Sequence, residues 1–347
     1  MSATSGTMLV SQPINLSGIL YNKTRVDTPL FNMFGSRSVQ GRKFITGATY
    51  DLGYPSSVSA ISESASLTAP SPQYWERENA ENVTQIFQRS LAISYRKMAN
   101  SDDLINYQAD GYEGSPVQQP AIVGNTNNVP NELAWQLKNT MDAIRLDLEW
   151  TILNGEYQDG GGAAATADKT RGIIEATTSN VVDADGSELT FEVLYDLAQQ
   201  IFLAGTPYGL ESYIFVMPYE QYKQLQKVVA DEGLKLNQSR AGVNVTEVIT
   251  PFGTMRFLPH RFMPAGTVQA ICVPVVKNVF QPTPGKGNFF FEPLAKTGAA
   301  EKGQVFGMYG LDHGVEFLHA KVTDLAESTA PFTAPKRYIE NAGGGSE

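Results

Sequence analysis

Residues 52–81 constrain this chain most. They are rich in Ser, Ala and Pro (including SSVSAISESASLTAPSPQ), with no helical period and little apolar content. They lie between two segments that read as strands, residues 41–50 (GRKFITGATY) and 82–94 (NVTQIFQRSLAIS). In the second, Val83, Phe87, Leu91 and Ile93 fall on one side of a period-two pattern that Gln85 and Arg89 interrupt. A structureless loop of this length is foreign to a compact domain. Ordering it costs on the order of 30–60 kcal/mol of backbone entropy. At about 25 cal/mol/Å², offsetting even the lower figure takes more than roughly 1,000 Å² of buried apolar surface. A lone two-stranded hairpin cannot supply that. Two readings remain at this point, a flexible linker or a long hairpin lying on another molecule, and a symmetric oligomer would provide the surface.

The strongest helix signal covers residues 128–155. Leu133, Leu137, Met141, Ile144, Leu148 and Ile152 recur at steps of three and four, along one face of a 3.6-period helix. Asn128 or Asn131 can cap its start, Pro130 sits where a first-turn proline is tolerated, and Glu132 is acidic near the positive end of the dipole. Gly155 is expected to stop it in a left-handed conformation. Its length, about 35–40 Å, is that of a domain backbone. Its apolar stripe is expected to pack on the last strands, including Leu318, Ala320 and Val322.

Ahead of the first strand, residues 28–35 (TPLFNMFG) form one short amphipathic turn through Leu30, Phe31 and Phe34, closed by Gly35. From Thr190 a second unit begins. Thr190 caps a helix with Phe191, Leu194, Ala198, Ile201 and Phe202 on its buried face, Leu189 and Leu194 as a hydrophobic staple, and Gly205 as its end. Residues 213–217 (YIFVM) read as a buried strand, and Pro218 opens a helix with Tyr222, Leu225 and Val229 inward. Strands follow at 254–258 and 267–276, giving a modest α/β layer. The last third returns to extended structure at 288–292 (NFFFE), 304–309 and 314–323, before a Gly-rich tail.

The chain of 347 residues has room for two cores, and 42% hydrophobic with 18% charged residues mark a folded, soluble protein. The longest apolar run, residues 268–276, is too short to span a bilayer, so no membrane role is expected, and the start lacks the pattern of a secretory signal. The single cysteine, Cys272, excludes an internal disulfide, fits a reducing compartment and reads as a core residue. A net charge of −10 leaves no basic stripe for gripping phosphates.

The residues offer no recognisable catalytic or metal-binding pattern. His260, His313 and His319 lack ligand spacing, and a structural role is expected for all three. Residues 183–188 (DADGSE) begin like a calcium loop, but its twelfth position is Leu194, so a turn is expected. Residues 285–287 (GKG) lack the phosphate-loop frame. Asp147 and Glu149, two apart on a helix, should point to different faces. The expectation is a non-enzyme with no cofactor and no metal.

A set of local motifs resembles the major capsid proteins of tailed bacteriophages, the Hong Kong 97-type shell fold. In chain order they are residues 28–31 (TPLF), 82–87 (NVTQIF), 146–149 (LDLE), 250–254 (TPFGT), 261–266 (RFMPAG) and 292–298 (EPLAKTG). The resemblance implies an α+β fold: an N-terminal arm (1–40), an extended E-loop hairpin (41–95), and a peripheral domain (96–188) with a spine helix (129–154). An axial α/β domain (189–285), peripheral return strands (286–327) and a tail (328–347) complete it. The chain departs from the family at 105–127, which is longer, and in the 160–168 loop, while no fused scaffold is expected before residue 28. The resemblance implies an intersubunit arm contact through Thr28, Pro29, Leu30, Phe31 and Phe34, and an E-loop carried by Phe44, Tyr50, Val83, Phe87 and Arg89. It assigns Leu133, Leu137, Met141, Ile144 and Leu148 to the rigid spine face. The expected function is a virion shell of hexameric and pentameric capsomers, assembled in the host bacterial cytoplasm. Portal, scaffold or decoration proteins are its expected partners, and it encloses DNA without sequence-specific binding. An encapsulin-like nanocompartment is the alternative, and an oligomeric enzyme the more distant one.

Overall fold

The computed structural model describes residues 18–21, 24, 26–52, 61–69, 74–99, 104–107, 132–162, 165–231, 239–240, 243–244, 246–250, 253–295 and 298–327. In chain order the main elements begin with helix α1 (Pro29–Met33) and strands β1 (Gly35–Ser38), β2 (Lys43–Thr49), β3 (Glu78–Val83) and β4 (Gln85–Ser94). The long helix α2 (Glu132–Asn154), strand β5 (Val181–Asp183), helix α3 (Phe191–Leu203), strand β6 (Tyr213–Met217) and helix α4 (Tyr219–Asp231) follow. Strands β7 (Thr246–Thr250), β8 (Gly253–Pro259), β9 (Val268–Cys272), β10 (Lys277–Phe280), β11 (Phe289–Pro293), β12 (Ala300–Asp312) and β13 (Ala320–Thr323) complete the set. Residues Gly18–Tyr21 pair in parallel with Leu104–Tyr107. The expected caps Asn128, Pro130 and Asn131, the tail and most of 105–127 lie outside the described residues.

Among the described residues, two larger sheets carry the architecture. One runs β7-β8-β6-β9-β13-β5. In the other, β4 and β11 flank β12, and β10 joins β12 to the edge strand β1. Strand β6 shows how the first sheet is used. Tyr213, Phe215 and Met217 point to a core shared with α3 and α4, while Ile214 and Val216 point to a second core with α2. A strand buried on both faces has no polar alternation to keep, which is why YIFVM is apolar throughout.

The long helix lies in the second core. Ile144, Leu148, Ile152 and Leu153 pack there with Val305, Tyr309 and Leu311 of β12, Phe87 of β4, and Leu258 and Ile271 of the six-stranded sheet. Three expectations for it are corrected. Met141 is 37% exposed and takes no part in the buried stripe, and Leu133 and Leu137 are only half-buried, so the stripe tightens toward the C-terminal half. Leu318, Ala320 and Val322 are not its partners. They line the other core, because β13 joins the six-stranded sheet between β9 and β5. Gly155 ends the helix by close backbone approach, not by a left-handed turn: a Cβ there would lie 2.5 Å from the Thr170 carbonyl oxygen and 2.9 Å from the Gly172 nitrogen.

Elsewhere, the expected strand 82–94 divides at Thr84, so that Glu78–Val83 pairs with β2 and Gln85–Ser94 with β12. The apolar run 267–276 divides too. A short 3-10 turn at Val273–Val275, around Pro274, carries the chain from one sheet to the other. On α3, Thr190 caps as expected, its hydroxyl oxygen accepting from the Val193 N–H. Its buried face uses Leu197 and leaves Phe202 57% exposed, which removes Phe202 from the expected core. Among its described residues, the stretch 52–81 holds one exposed helical turn, Glu63–Ser66, capped by Ser62.

Candidate functional site: the arm anchor and the projecting hairpin

Helix α1 is five residues long and cannot hold itself together. Thr28 at its N-cap makes no side-chain cap, and Pro29 brings no N–H. The first-turn donors are satisfied from across the chain: Glu149 accepts the Leu30 N–H on Oε1 at 2.9 Å and the Phe31 N–H on Oε2 at 2.8 Å. The other end is closed the same way. Asn278 Nδ2 donates to the carbonyls of Phe31 (2.9 Å) and Phe34 (3.2 Å), and its Oδ1 accepts from the Tyr309 hydroxyl at 2.8 Å. Arg145 reaches the Thr28 hydroxyl at 3.4 Å.

Glu149 is fully buried, and a third donor completes its set. His260 Nε2 lies 2.9 Å from Oε1, while His260 Nδ1 accepts the Phe262 N–H at 3.2 Å. An acceptor at Nδ1 places the proton on Nε2, so a neutral imidazole donates to the carboxylate. The buried negative charge is thus met by two helix-start amides and one ring N–H. Burial, with the Glu149 charge added, raises the Tyr309 phenol well above its ordinary range. Asp147, two residues earlier, faces elsewhere and takes Arg89 of β4, with Nε at 3.2 Å. The two acidic residues of the 146–149 motif therefore diverge and do different jobs.

The arm residues consequently sit differently from the intersubunit role expected for them. Thr28, Pro29, Leu30 and Phe34 are buried within their own subunit, with Leu30 at 0% exposure. Phe31 is half-buried, its ring 6.3 Å from those of Phe280 and Tyr309. Thr28, Pro29, Leu30 and Phe34, enclosed by their own chain, form an intrachain anchor, while Phe31 keeps part of its surface.

Strands β2 and β3 form an antiparallel hairpin that leaves the body at residues 43 and 83. Its base is densely tied. Phe44 is buried over Gly310, where any Cβ would come within 2.8 Å of the ring. Val83 is fully buried. Asn82 brackets two segments, donating to the Leu311 carbonyl at 2.7 Å and accepting the Arg171 N–H at 2.9 Å. Thr84 donates to Gln281 Oε1 at 2.7 Å. Outside this bracket lies a charged one: Arg42 pairs with Asp159 (2.5 Å) and Asp168 (2.7 Å), and Lys43 with Glu81 (2.8 Å) and Asp159 (3.3 Å). The Arg42 guanidinium, helped by the Gly161 N–H, holds the Asp159 carboxyl down at about 2.

Beyond the base the character inverts. Tyr50, Leu52, Ile61, Leu67, Tyr74 and Trp75 are all exposed, from 59% at Trp75 to 86% at Leu67. Val83 and Phe44 thus belong to the root, Tyr50 to the projecting part, and Phe87 and Arg89 to β4 in the body. Reasoning from sequence missed Glu149, His260, Asn278 and Tyr309. Only the LDLE motif held a hint, since a glutamate on the inner side of an apolar helix needs a buried partner.

His319 Nε2 lies 2.6 Å from the His313 carbonyl oxygen, and its Nδ1 accepts the Cys272 N–H. Burial pushes His319 down to about 4 and His313 to about 3, with the neighbouring His319 adding to the second shift. Among the described residues, no group of three or more His, Cys, Asp or Glu side chains is placed to hold a metal ion, and no helix is long and apolar enough to cross a membrane.

Two sheets, a long helix between them, an anchored arm and a projecting hairpin invite comparison with shell proteins. The sequence profile of the SU10 major capsid protein family matches residues 2–326. The chain belongs to this family. No curated protein matches the sequence. Among solved structures, the cyanophage A-1(L) capsid subunit is similar with a TM-score of 0.61 at 9% identity, covering 92% of this chain and 98% of that one. The SrpI encapsulin of Synechococcus elongatus PCC 7942 gives 0.56 at 11% identity, covering 91% and 96%. A protein of Mycobacterium phage Patience gives 0.53 at 11%, covering 91% and 88%. At these identities the likeness shows the fold, which is the Hong Kong 97-type capsid fold. The SU10-family chain is a bacteriophage major capsid protein, a structural component of the virion capsid that works as homo-oligomeric capsomers.

Proposed function

We propose that this SU10-family capsid protein tiles a closed icosahedral or prolate shell through heterologous contacts, with the hairpin of each subunit lying on its neighbour. The observation that carries the reading is the inversion along β2 and β3: a root bolted to its own subunit, and beyond it six large apolar side chains in solvent. Monomeric proteins rarely leave such a set uncovered. The axial part, residues 189–285, sits at capsomer centres, and assembly takes place in the host cytoplasm with portal and, where present, scaffold or decoration partners. With a net charge of −10, the wall encloses packaged DNA without gripping it. The subunit's task is mechanical and includes no catalytic step.

Deleting residues 53–80 tests this. The expected product is a folded subunit, cooperative in thermal melting, that forms no particles by electron microscopy or sedimentation. Intact shells from the deletion would defeat the reading. The likeness to an encapsulin supports a second reading, a compartment with a protein cargo. Nuclease-protected DNA inside purified particles favours the virion, and a co-purifying enzyme favours the compartment.

A further inference from the structure

The Glu149 site joins three parts that lie far apart in sequence: the arm, the long helix, and the loop that follows β8. Its contacts with Leu30 and His260 are buried and that with Phe31 partly so, and the carboxylate itself has no exposure through which water could substitute for a lost donor. His260 is itself fixed to the six-stranded sheet, its N–H donating to the Met217 carbonyl at 2.8 Å at the end of β6. Asn154, on the next turn of the long helix, donates to the Phe262 carbonyl at 2.8 Å and ties the same loop from the other side.

We propose that Glu149 is a positioning residue that couples seating of the arm to the placement of the His260 loop on the axial sheet. The physical reason is the completeness of its donor set. A buried carboxylate that loses one of three donors must regain solvation or give up its charge. Of the elements around it, the 23-residue helix and the sheet are held by large cores, whereas α1 is a five-residue turn whose first two amides are held by Glu149. Water therefore enters by displacing α1. A shift of the His260 loop is read out at Leu30 and Phe31, although His260 touches neither through a hydrogen bond. The charged and titratable groups around the site are Arg145 at Thr28, Tyr309 behind Asn278, and His260. None of the three accepts the arm amides, so the coupling runs through the carboxylate alone.

Hydrogen exchange in the full-length chain tests this on a single subunit, separately from shell formation and so separately from the hairpin reading. The Leu30 and Phe31 amides are the direct reporters, with Ile214 and Phe215 in β6 as the internal reference. His260→Phe keeps a planar aromatic ring and removes the donor. It is expected to speed exchange at Leu30 and Phe31 at least tenfold relative to the reference. His260→Gln restores an N–H near the Nε2 position and is expected to bring protection back to within about threefold of the native chain. Glu149→Gln speeds the same two amides, because its NH2 meets an N–H donor, and adding His260→Phe to it changes them little further. Uniform acceleration across reporters and reference, no rescue by glutamine, or additive effects in the double variant would each overturn the coupling. Should His260→Phe fail to fold, His260→Leu takes its place with the same readings.

Discussion

The arm and the hairpin are both extended segments too poor in apolar residues to make a core alone, yet they reach opposite solutions. The arm's short helix is closed at both ends by buried polar side chains of its own subunit, Glu149 and Asn278, and its apolar residues enter the subunit's core. The hairpin is bracketed to its subunit by polar groups at the root and carries large apolar side chains exposed beyond it. Position in a chain therefore says little about whether an extended segment serves its own subunit or the next one. What separates the two is where the backbone's unsatisfied groups find partners. The arm's are supplied within the chain, and so its residues act on subunit stability. The hairpin's apolar surface stays exposed, as the proposed contact with a neighbouring subunit requires.

The largest expected effect sharpens this contrast. Ile152→Asp places an uncompensated charge at a fully buried position of the long helix, among Ile144, Leu148 and the residues of β12. Loss of the folded subunit is expected, seen as an absent cooperative melt in circular dichroism. Leu137, half-buried at the looser end of the stripe, tolerates the same change better. Leu67→Asp in the hairpin introduces the same charge at an 86% exposed site. It is expected to leave the melt unchanged while abolishing particles by sedimentation. A folded, cooperative Ile152→Asp protein would break the comparison at its root.

Next comes Leu30→Ala. If the arm served only a neighbour, the isolated subunit would not feel the change. As a fully buried residue of the second core, Leu30 is expected to cost about 2–5 kcal/mol in denaturant unfolding of unassembled protein. An unchanged midpoint with lost assembly would return the arm to an intersubunit role.

Much of this was legible in the residues, but unevenly. The spacing of Ile144, Leu148 and Ile152 placed the helix face, and the interruption of β4's apolar side by Arg89 and Gln85 was a true signal. Arg89 meets Asp147, and Gln85 accepts the Thr170 N–H, so both inward polar residues have partners. What escaped were pairings across long separations. Glu149 and Leu30 are 119 positions apart, and no local pattern records that one caps the other. Strand β13 was misplaced because an apolar strand suits either sheet, and the run 267–276 hid a change of sheet because both halves are equally apolar. Several motifs of the resemblance proved to be backbone requirements. Gly266, at φ +69°, lies where a Cβ would sit 2.9 Å from the Leu325 carbonyl oxygen, and Gly253 and Gly298 take positive φ in the hairpins they serve.

An effect comparable to that of Leu30→Ala separates the body from the hairpin root by pH. His313 and His319 are held neutral by burial, at about 3 and about 4, against an ordinary value of 6.5. Their folded values are depressed, so the unfolded chain binds more protons as pH falls below 6.5. Their contribution to stability is full above 6.5 and is lost as pH falls through the window down to about 4 and then about 3. Each adds a slope of about 1.4 kcal/mol per pH unit inside that window. Denaturant unfolding between pH 7 and 4.5 is expected to show the loss, and His313→Phe to remove about half of it. A flat profile would mean that these rings gain a partner on protonation.

The smallest effect on stability belongs to Arg42, and it discriminates most finely. Its partners Asp159 and Asp168 are partly solvent-exposed, and charge pairs in such settings are screened and contribute little to folding. Asp159 is depressed to about 2, so the link is complete above its ordinary 3.8 and is released only as pH falls through about 2. Mild acid therefore weakens the histidine-bearing body while the Arg42–Asp159 link stays closed. Arg42→Ala should leave the unfolding midpoint of the unassembled subunit where it was at pH 7. It should lower particle yield, because Lys43 alone then ties the strand's start to Asp159 and the hairpin's direction is less defined. Raising salt should lower yield in the native chain in the same sense, and by less in the variant. If Arg42→Ala instead destabilises the subunit as much as Leu30→Ala does, the root is part of the core and the hairpin is not a separately hinged element.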